Sequence, residues 1–166
     1  HGALAASTVM RRDAETRRKR PLRASVCWLL ALVATACGPK FPPGTTRKAE
    51  AKWPSGVVRC VGTEVFQDGT WHKDGVFVFY DEDGDEFRRG GYTLGLESGV
   101  WEEHYEDGGT GHGSFLAGER QGTWSYMYKN GRLQQRGAYE SGKRVGTWED
   151  WSPAGERRPD LVYPAP

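Results

Sequence analysis

Three histidines beyond residue 70 are the residues best suited to hold a metal ion. His72, His104 and His112 do not form a His-x-x-x-His pair, and no Cys-x-x-Cys pair accompanies them. Such spacings are what bring two ligands close enough to share one ion. We therefore predict that these histidines are ordinary surface or turn residues and that the chain has no metal site.

An acidic run and two serines are the remaining groups that could do chemistry. The run from Asp81 to Glu86 lacks the glycine at position six and the glutamate at position twelve that an EF-hand loop requires. Ser114 and Ser125 do not stand in a Gly-x-Ser-x-Gly nucleophile elbow. The sequence thus predicts no catalytic residue and no cofactor, and we interpret the protein as non-enzymatic.

The head of the chain has the layout of an export signal. Seven Arg and Lys side chains precede the apolar run from Val26 to Ala36, which is 11 residues long. A membrane-spanning helix needs about 20 such residues, whereas a signal-peptide core needs roughly 7 to 15. We predict a signal peptide over residues 1–36, and Met10 would begin a signal of ordinary length.

The segment Ala34-Thr35-Ala36-Cys37 resembles the lipobox of bacterial lipoproteins, although Ala34 stands where that family favours Leu. The resemblance implies cleavage before Cys37, lipidation of its thiol, and a lipid-anchored protein of the cell envelope. Gly38 is not the Asp of an inner-membrane retention signal, so the outer membrane is expected. Plain secretion after Ala-Thr-Ala and a buried core segment remain the alternatives.

Residues 38–58 are rich in proline and in small and charged residues, which predicts an extended linker behind the lipidated cysteine, so that 37–58 is one anchoring segment. Cys27 would leave with the signal. Cys60 would then be the remaining cysteine besides Cys37, and we expect it to be unpaired and buried near the first strand.

The charge balance excludes a nucleic-acid partner. From Cys37 onward the chain has 16 basic and 20 acidic side chains, a net charge of −4, and the basic excess of the whole chain comes from its head. Phosphate binding requires a basic stripe, which is missing here.

Glycines and aromatic residues recur with a period of 23 or 24 residues from residue 75 onward. One unit contains a glycine, an aromatic residue two positions later, a turn glycine seven positions after that, and a second aromatic residue. The positions that keep this register are Gly75, Gly99, Gly122 and Gly146; Phe77, Trp101, Trp124 and Trp148; Gly84, Gly108, Gly131 and Gly155; and Tyr92, Phe115 and Tyr139.

Each unit has the pattern of a β-hairpin. An aromatic and Thr-rich strand leads to Asn130-Gly131, a pair typical of two-residue turns with positive φ, and a second strand returns from Leu133. We predict an all-β fold, an antiparallel meander of stacked 23–24-residue hairpins that forms an elongated twisted sheet or open solenoid. The repeat domain is expected over residues 59–156. A loose tail follows at 157–166, because Pro153 and Pro159 would interrupt the last strand.

The segments Gly99-Val100-Trp101, Gly122-Thr123-Trp124 and Gly146-Thr147-Trp148, with the later turn glycines, resemble the MORN-repeat families. The nearest likeness is to the bacterial MORN-like variant labelled YwqK-type antitoxin repeats. The resemblance covers about residues 62–156 and implies hairpins stacked into an elongated sheet, with no intrinsic enzymatic activity.

The repeat aromatics are interpreted as the core, since a lone hairpin buries too little surface to be stable. Four aromatics outside the register, Tyr80, Tyr105, Tyr126 and Trp151, are the possible binding residues. The leading hypothesis is an envelope-anchored scaffold that binds a protein partner. The alternatives are peptidoglycan or polysaccharide binding through exposed aromatics, and an antitoxin-like neutralisation of a toxin.

Overall fold

The computed structural model describes residues 41–165. They form eleven strands: β1 (Thr46–Lys52), β2 (Val58–Gln67), β3 (Thr70–Lys73), β4 (Gly75–Tyr80), β5 (Glu86–Thr93), β6 (Leu96–His104), β7 (Thr110–Leu116), β8 (Glu119–Met127), β9 (Leu133–Glu140), β10 (Lys143–Trp151) and β11 (Arg157–Tyr163). Among these residues there is no helix long and apolar enough to cross a membrane. The expected signal peptide and Cys37 lie outside the described residues.

All eleven strands belong to one antiparallel sheet, and neighbours in the sheet are neighbours in sequence. The short β3 pairs with β2 beside β4, so β3 and β4 act as one interrupted strand. The outermost strands are β1 and β11, and the sheet is not closed. The predicted all-β antiparallel meander is confirmed.

The linker expected over residues 38–58 is a strand in its second half. β1 pairs with β2 along its whole length, and Ala49 and Ala51 face the core. The other residues of β1 are mostly charged, which is typical of an edge strand because charge discourages pairing with other chains. The same composition made this segment look like a tether, so the sequence prediction was wrong here.

The loose tail expected over residues 157–166 is also wrong, because β11 pairs with β10 and completes the fourth hairpin. Pro153 lies in the turn between the two strands. Pro159 lies on the outer strand at a register shift, a position where its missing N–H is tolerated. Tyr163 stands 24 residues after Tyr139, so the period itself contained the signal for this strand.

Two kinds of turn alternate along the meander. In the first kind two consecutive residues have positive φ, as in type I′ hairpins; these turns are Asp68-Gly69, Leu94-Gly95, Ala117-Gly118 and Ser141-Gly142. The second kind has three residues, of which the last is a positive-φ glycine. At Asn130-Gly131 the sequence predicted a two-residue turn, yet only Gly131 has positive φ (76°). The Tyr128 N–H donates to the Arg132 carbonyl across the loop at 2.8 Å, the pattern of a type I turn with a bulge.

The two-residue turns of successive units are hydrogen-bonded to one another. Each turn glycine donates its N–H to a carbonyl of the preceding unit: Gly95 to Lys73 (2.8 Å), Gly118 to Glu97 (2.9 Å) and Gly142 to Arg120 (3.0 Å). Every unit is therefore positioned by the one before it, the nearest-neighbour coupling of repeat proteins.

The Gly-x-Trp motif forms a β-bulge. Trp101 pairs with Gly90, but Ser98 pairs with the very next residue, Gly91, so two residues are inserted into the ladder. Gly99 has a φ of 71° there, a left-handed conformation that glycine adopts without strain. The same positive φ recurs at Gly122 (71°) and Gly146 (63°).

The bulge lays each tryptophan ring against a glycine of the preceding strand. A Cβ atom at Gly113 would lie 2.2 Å from the Trp124 ring, so no other residue allows this approach. The Trp124 Nε1–H donates to the Ser114 carbonyl at 3.0 Å, and the side chain is fully buried. Trp101 and Trp148 make the same contacts in their own units. The second aromatic series stands edge-on between the indoles, as Phe115 does between Trp101 and Trp124.

We predict that Trp124→Ala costs about 3–5 kcal/mol of unfolding free energy, the usual range for deleting a buried aromatic side chain. Trp151→Ala is the matched control, because Trp151 is only partly buried on the opposite face of the sheet and should cost no more than about 1 kcal/mol. Urea unfolding of both variants against the parent chain checks this. A costlier Trp151 or a neutral Trp124 would contradict the assignment of the core.

Candidate functional site

Two of the four possible binding aromatics are buried, which corrects the prediction. Tyr105 is 6% exposed and Tyr126 is 5% exposed. They follow Trp101 and Trp124 by four and two residues, and strand alternation places even separations on the same face. They therefore extend the core, and Tyr126 stacks at 6.1 Å from Trp124.

The other two, Tyr80 and Trp151, are partly exposed on the opposite face, at an odd separation from their core aromatics. Tyr80 ends β4 and Trp151 ends β10, six strands away, which corresponds to about 29 Å. The Arg157 guanidinium lies 4.7 Å from the Trp151 ring. These two aromatics do not form a continuous row.

Cations lie on the aromatic core and cover it. The guanidinium carbon of Arg120 is 4.4 Å from the Trp124 ring centre, and that of Arg144 is 4.0 Å from the Trp148 ring centre. Sequence reasoning missed this row. Its signal is a basic residue four positions before the repeat aromatic, found at Lys73, Arg120 and Arg144.

The second unit has Glu97 at that position, and Arg88 supplies the cation from the neighbouring strand. Arg88 lies 4.1 Å from the Trp101 ring centre, and its Nη2 is 2.8 Å from a Glu97 carboxylate oxygen. A cation therefore still covers the tryptophan ring in this unit, although the residue four positions before the tryptophan is acidic and not basic.

Glu103 is a buried carboxylate, 1% exposed, held between two arginines. Its Oε2 accepts from the Tyr105 hydroxyl at 2.8 Å and from Arg120 Nη2 at 2.5 Å, and its Oε1 lies 3.3 Å from Arg88 Nε. A buried charge without such partners costs several kcal/mol. Because Arg88, Glu103 and Arg120 lie on β5, β6 and β8, the cluster joins the first, second and third units.

Burial on this face shifts several pKa values. It lowers the pKa of Lys73 to about 8, with the Glu97 charge acting in the opposite direction. Burial also raises the pKa of Tyr92 to about 12. The pKa of Tyr105 is raised still further, first by burial and then by the Glu103 charge. Each shift follows from packing and neighbouring charges in the core.

The residues considered for metal binding are dispersed. No group of three His, Cys, Asp or Glu side chains suited to a metal ion occurs within residues 41–165. In the acidic run, Asp81 Oδ1 accepts the backbone N–H groups of Asp83 and Asp85 and so fixes the β4–β5 turn. His104 lies 3.5 Å from Glu102 at the surface, and His112 is exposed.

Cys60 differs from the expected unpaired cysteine. It is buried, at 3% exposure, and disulfide-bonded. Its partner lies outside the described residues.

The face opposite the tryptophans is the candidate functional surface, and we call it the open face. Its residues include the one before each repeat aromatic: Val76 and Val100, which are 66% and 60% exposed, and Thr123 and Thr147. These residues pair across strands with Gly, Ser, Ala or Val, so that the pairs Val76–Gly91, Val100–Ser114, Thr123–Ala138 and Thr147–Val162 form a band along the sheet. We call this band the bulge row.

A second band runs beside the bulge row and carries charge. Its residues are direct cross-strand partners from β5 to β10, in the order Arg89, Glu102, His112, Ser125, Arg136 and Glu149. We call this band the charged row. A shallow depression between the two rows, above Gly91, is lined by Val76, Val100, Arg89 and Glu102 among others. The open face thus offers exposed apolar groups beside charges of both signs.

No protein-family model and no curated protein matches this chain.

We predict that Glu103→Gln destabilises the fold by about 3–5 kcal/mol, because it leaves Arg88 and Arg120 without their buried counter-charge. Glu106→Gln is the control, since Glu106 is exposed in the turn that follows the same strand, and it should change the unfolding free energy by about 0.5 kcal/mol or less. The measurement is the urea unfolding midpoint of each variant, compared with that of the parent chain. Equal costs would show that the buried cluster contributes nothing beyond a surface charge.

A pH-dependent stability term is expected from Lys73. Its folded pKa of about 8 lies below the ordinary value of 10.5, so the unfolded chain binds more protons in that interval. The unfolding free energy should therefore rise with pH from about 8 towards 10. Lys73→Met removes this rise, whereas Lys48→Met, on the exposed edge strand β1, keeps it. Urea unfolding between about pH 7 and 10 measures the slopes, and an unchanged slope in Lys73→Met contradicts the assignment.

Proposed function

We propose that this protein is a non-enzymatic, MORN-like binding module of the cell envelope that recruits a protein partner through its open face. The observation that carries the proposal is the bulge row, in which Val76, Val100 and Val162 are exposed among small residues, running beside the charged row. Protein interfaces combine such apolar contacts with polar groups that fix the register of the partner.

The composition of the open face favours a protein over a glycan. Sugar binding uses exposed aromatic rings as a platform, and here the repeat indoles are buried while Tyr80 and Trp151 stand six strands apart. The charged row contains two arginines and two glutamates, so its sum is neutral. A neutral row with fixed positions gives specificity without general attraction to polyanions.

Anchoring through Cys37 is part of the proposal. It is supported by the basic head, the short apolar run and the small residues before the cysteine. A lipidated Cys37 carries a thioether and cannot also be the disulfide partner of Cys60, so the thiols are measured together with lipidation.

We expect Cys37→Ala to abolish palmitate incorporation and lipoprotein-type processing when the chain is expressed in a bacterial host. Cys60→Ala is the control and should retain both, because Cys60 lies outside the lipobox. Intact mass under reducing and non-reducing conditions reports the thiols in the same samples. Unchanged palmitate labelling in Cys37→Ala would contradict the lipid anchor.

The open face is tested by photo-crosslinking in cells. A crosslinking residue placed at His112, in the middle of the charged row, should trap a protein product. The same residue placed at Lys129, in an exposed turn, should not. Trapping at both sites equally, or a product that a glycan-cleaving enzyme removes, counts against a protein-binding open face.

A further inference from the structure

The order of charges along the charged row is symmetric in a specific sense. Read from β5 to β10 it runs Arg, Glu, His, Ser, Arg, Glu. Reversing the order places each arginine where a glutamate was and each glutamate where an arginine was. The row is therefore complementary to its own reverse.

We propose that the open face binds a second copy of this chain, with two sheets stacked face to face about a twofold axis parallel to the strands. This inference rests on the proposed protein-binding role of the open face and names the partner. The axis lies between β7 and β8, the middle of the charged row.

Such an axis reverses the order of the strands and keeps each residue's position along its strand. Arg89 then faces Glu149 of the second copy, and Glu102 faces Arg136 of the second copy. Because the dimer is isologous, every one of these contacts occurs twice. The arrangement makes four contacts between opposite charges of the two copies. Within one copy Arg136 already pairs with Glu149 and Arg89 with Glu86, both at 2.6 Å, so the contacts between the copies extend these pairs into networks.

The other simple arrangement is disfavoured by charge. A twofold axis perpendicular to the strands keeps the strand order, so it places Arg89 against Arg89 and Glu102 against Glu102. Like charges in contact across an interface cost several kcal/mol. Of the two axes, only the one parallel to the strands places opposite charges of the charged row against each other.

The bulge row supplies the apolar part of the same interface. Under the parallel axis, the pair Val100–Ser114 faces the pair Thr123–Ala138 of the second copy. At the ends, Val76 faces Val162 of the second copy, and these two side chains are 66% and 78% exposed in the single chain. The small side chains between them allow the spacing of about 10 Å at which two β-sheets pack.

The size of the patch suits a reversible dimer. Eight strands from β4 to β11 span about 34 Å, and five residues along each strand span about 17 Å, which gives a projected area of roughly 600 Å². Stable complexes bury about 800 Å² of accessible surface per partner, and accessible surface exceeds projected area because side chains roughen it. An interface with these four contacts between opposite charges and this area is expected to weaken as salt is raised.

Charge reversal provides the test, using the full chain, in detergent where it is lipidated, and native mass spectrometry with sedimentation. The parent should be dimeric. Glu102→Arg and Arg136→Glu should each raise the dimer dissociation constant at least tenfold. Mixed together, these two variants should form a heterodimer, because each reversed side chain then faces a group of opposite charge on the other copy. Glu106→Arg, in the exposed β6–β7 turn, is the control and should leave the dimer unchanged.

The outcomes separate this inference from the proposed function. A monomeric parent at about 100 µM, or a dimer indifferent to both charge reversals, overturns the inference. Trapping of a different protein at His112 by such a monomeric parent would leave the proposed function standing. Urea unfolding of each variant checks that it folds. If Arg136→Glu does not, the facing pair Arg89→Glu and Glu149→Arg replaces the first pair, with the same expected loss for each variant alone and the same recovery in the mixture.

Discussion

The contact between an indole ring and a backbone glycine of the neighbouring strand determines the rest of this structure. Where Trp124 lies on Gly113, a Cβ atom would be 2.2 Å from the ring, and the other units have equally close approaches. The bulge that aims the ring requires a second glycine with positive φ. Burying one aromatic side chain of about 200 Å² contributes about 5 kcal/mol, so each repeat is stabilised mainly by this one placement.

Within residues 41–165 the single sheet has no second layer to cover its core, and the cations on the indoles take that role. Arg120 and Arg144 extend over the rings of Trp124 and Trp148 at 4.4 and 4.0 Å, so that their apolar stems exclude water while their charged groups remain hydrated or paired. The same geometry survives the change at Glu97, since Arg88 reaches the same place from another strand. The requirement is therefore for a cation above the ring and not for a basic residue at one sequence position.

The periodicity of the sequence predicts the residues that recur in every unit, and it does not predict the features that differ between units. The tryptophan and glycine positions could be read from the sequence, because every unit repeats the same close contact. β1 could not, since an edge strand has few buried residues and its charged composition resembles a linker. Tyr105 and Tyr126 were misassigned because they lie outside the repeat, although alternation from the neighbouring tryptophans would have placed them correctly. The cluster around Glu103 could not be predicted either, because Arg88 and Arg120 are 15 and 17 positions away in sequence and only the strand register brings them to Glu103.

The indole–glycine contact restricts the residues of the core, but it does not restrict which residues stand on the open face. Glu102 and Ser125 each follow a repeat tryptophan by one residue, so they point to solvent whatever their identity. Their side chains make no contribution to the indole–glycine contact, and the frame tolerates Glu, Ser or Val at this position of the unit. The indole–glycine contact therefore does not determine the sequence of the charged row. Within one chain, opposite charges on neighbouring strands stabilise the sheet, as Arg136 and Glu149 do at 2.6 Å. A second copy facing this row would meet the same charges in complementary order, because the row is complementary to its own reverse.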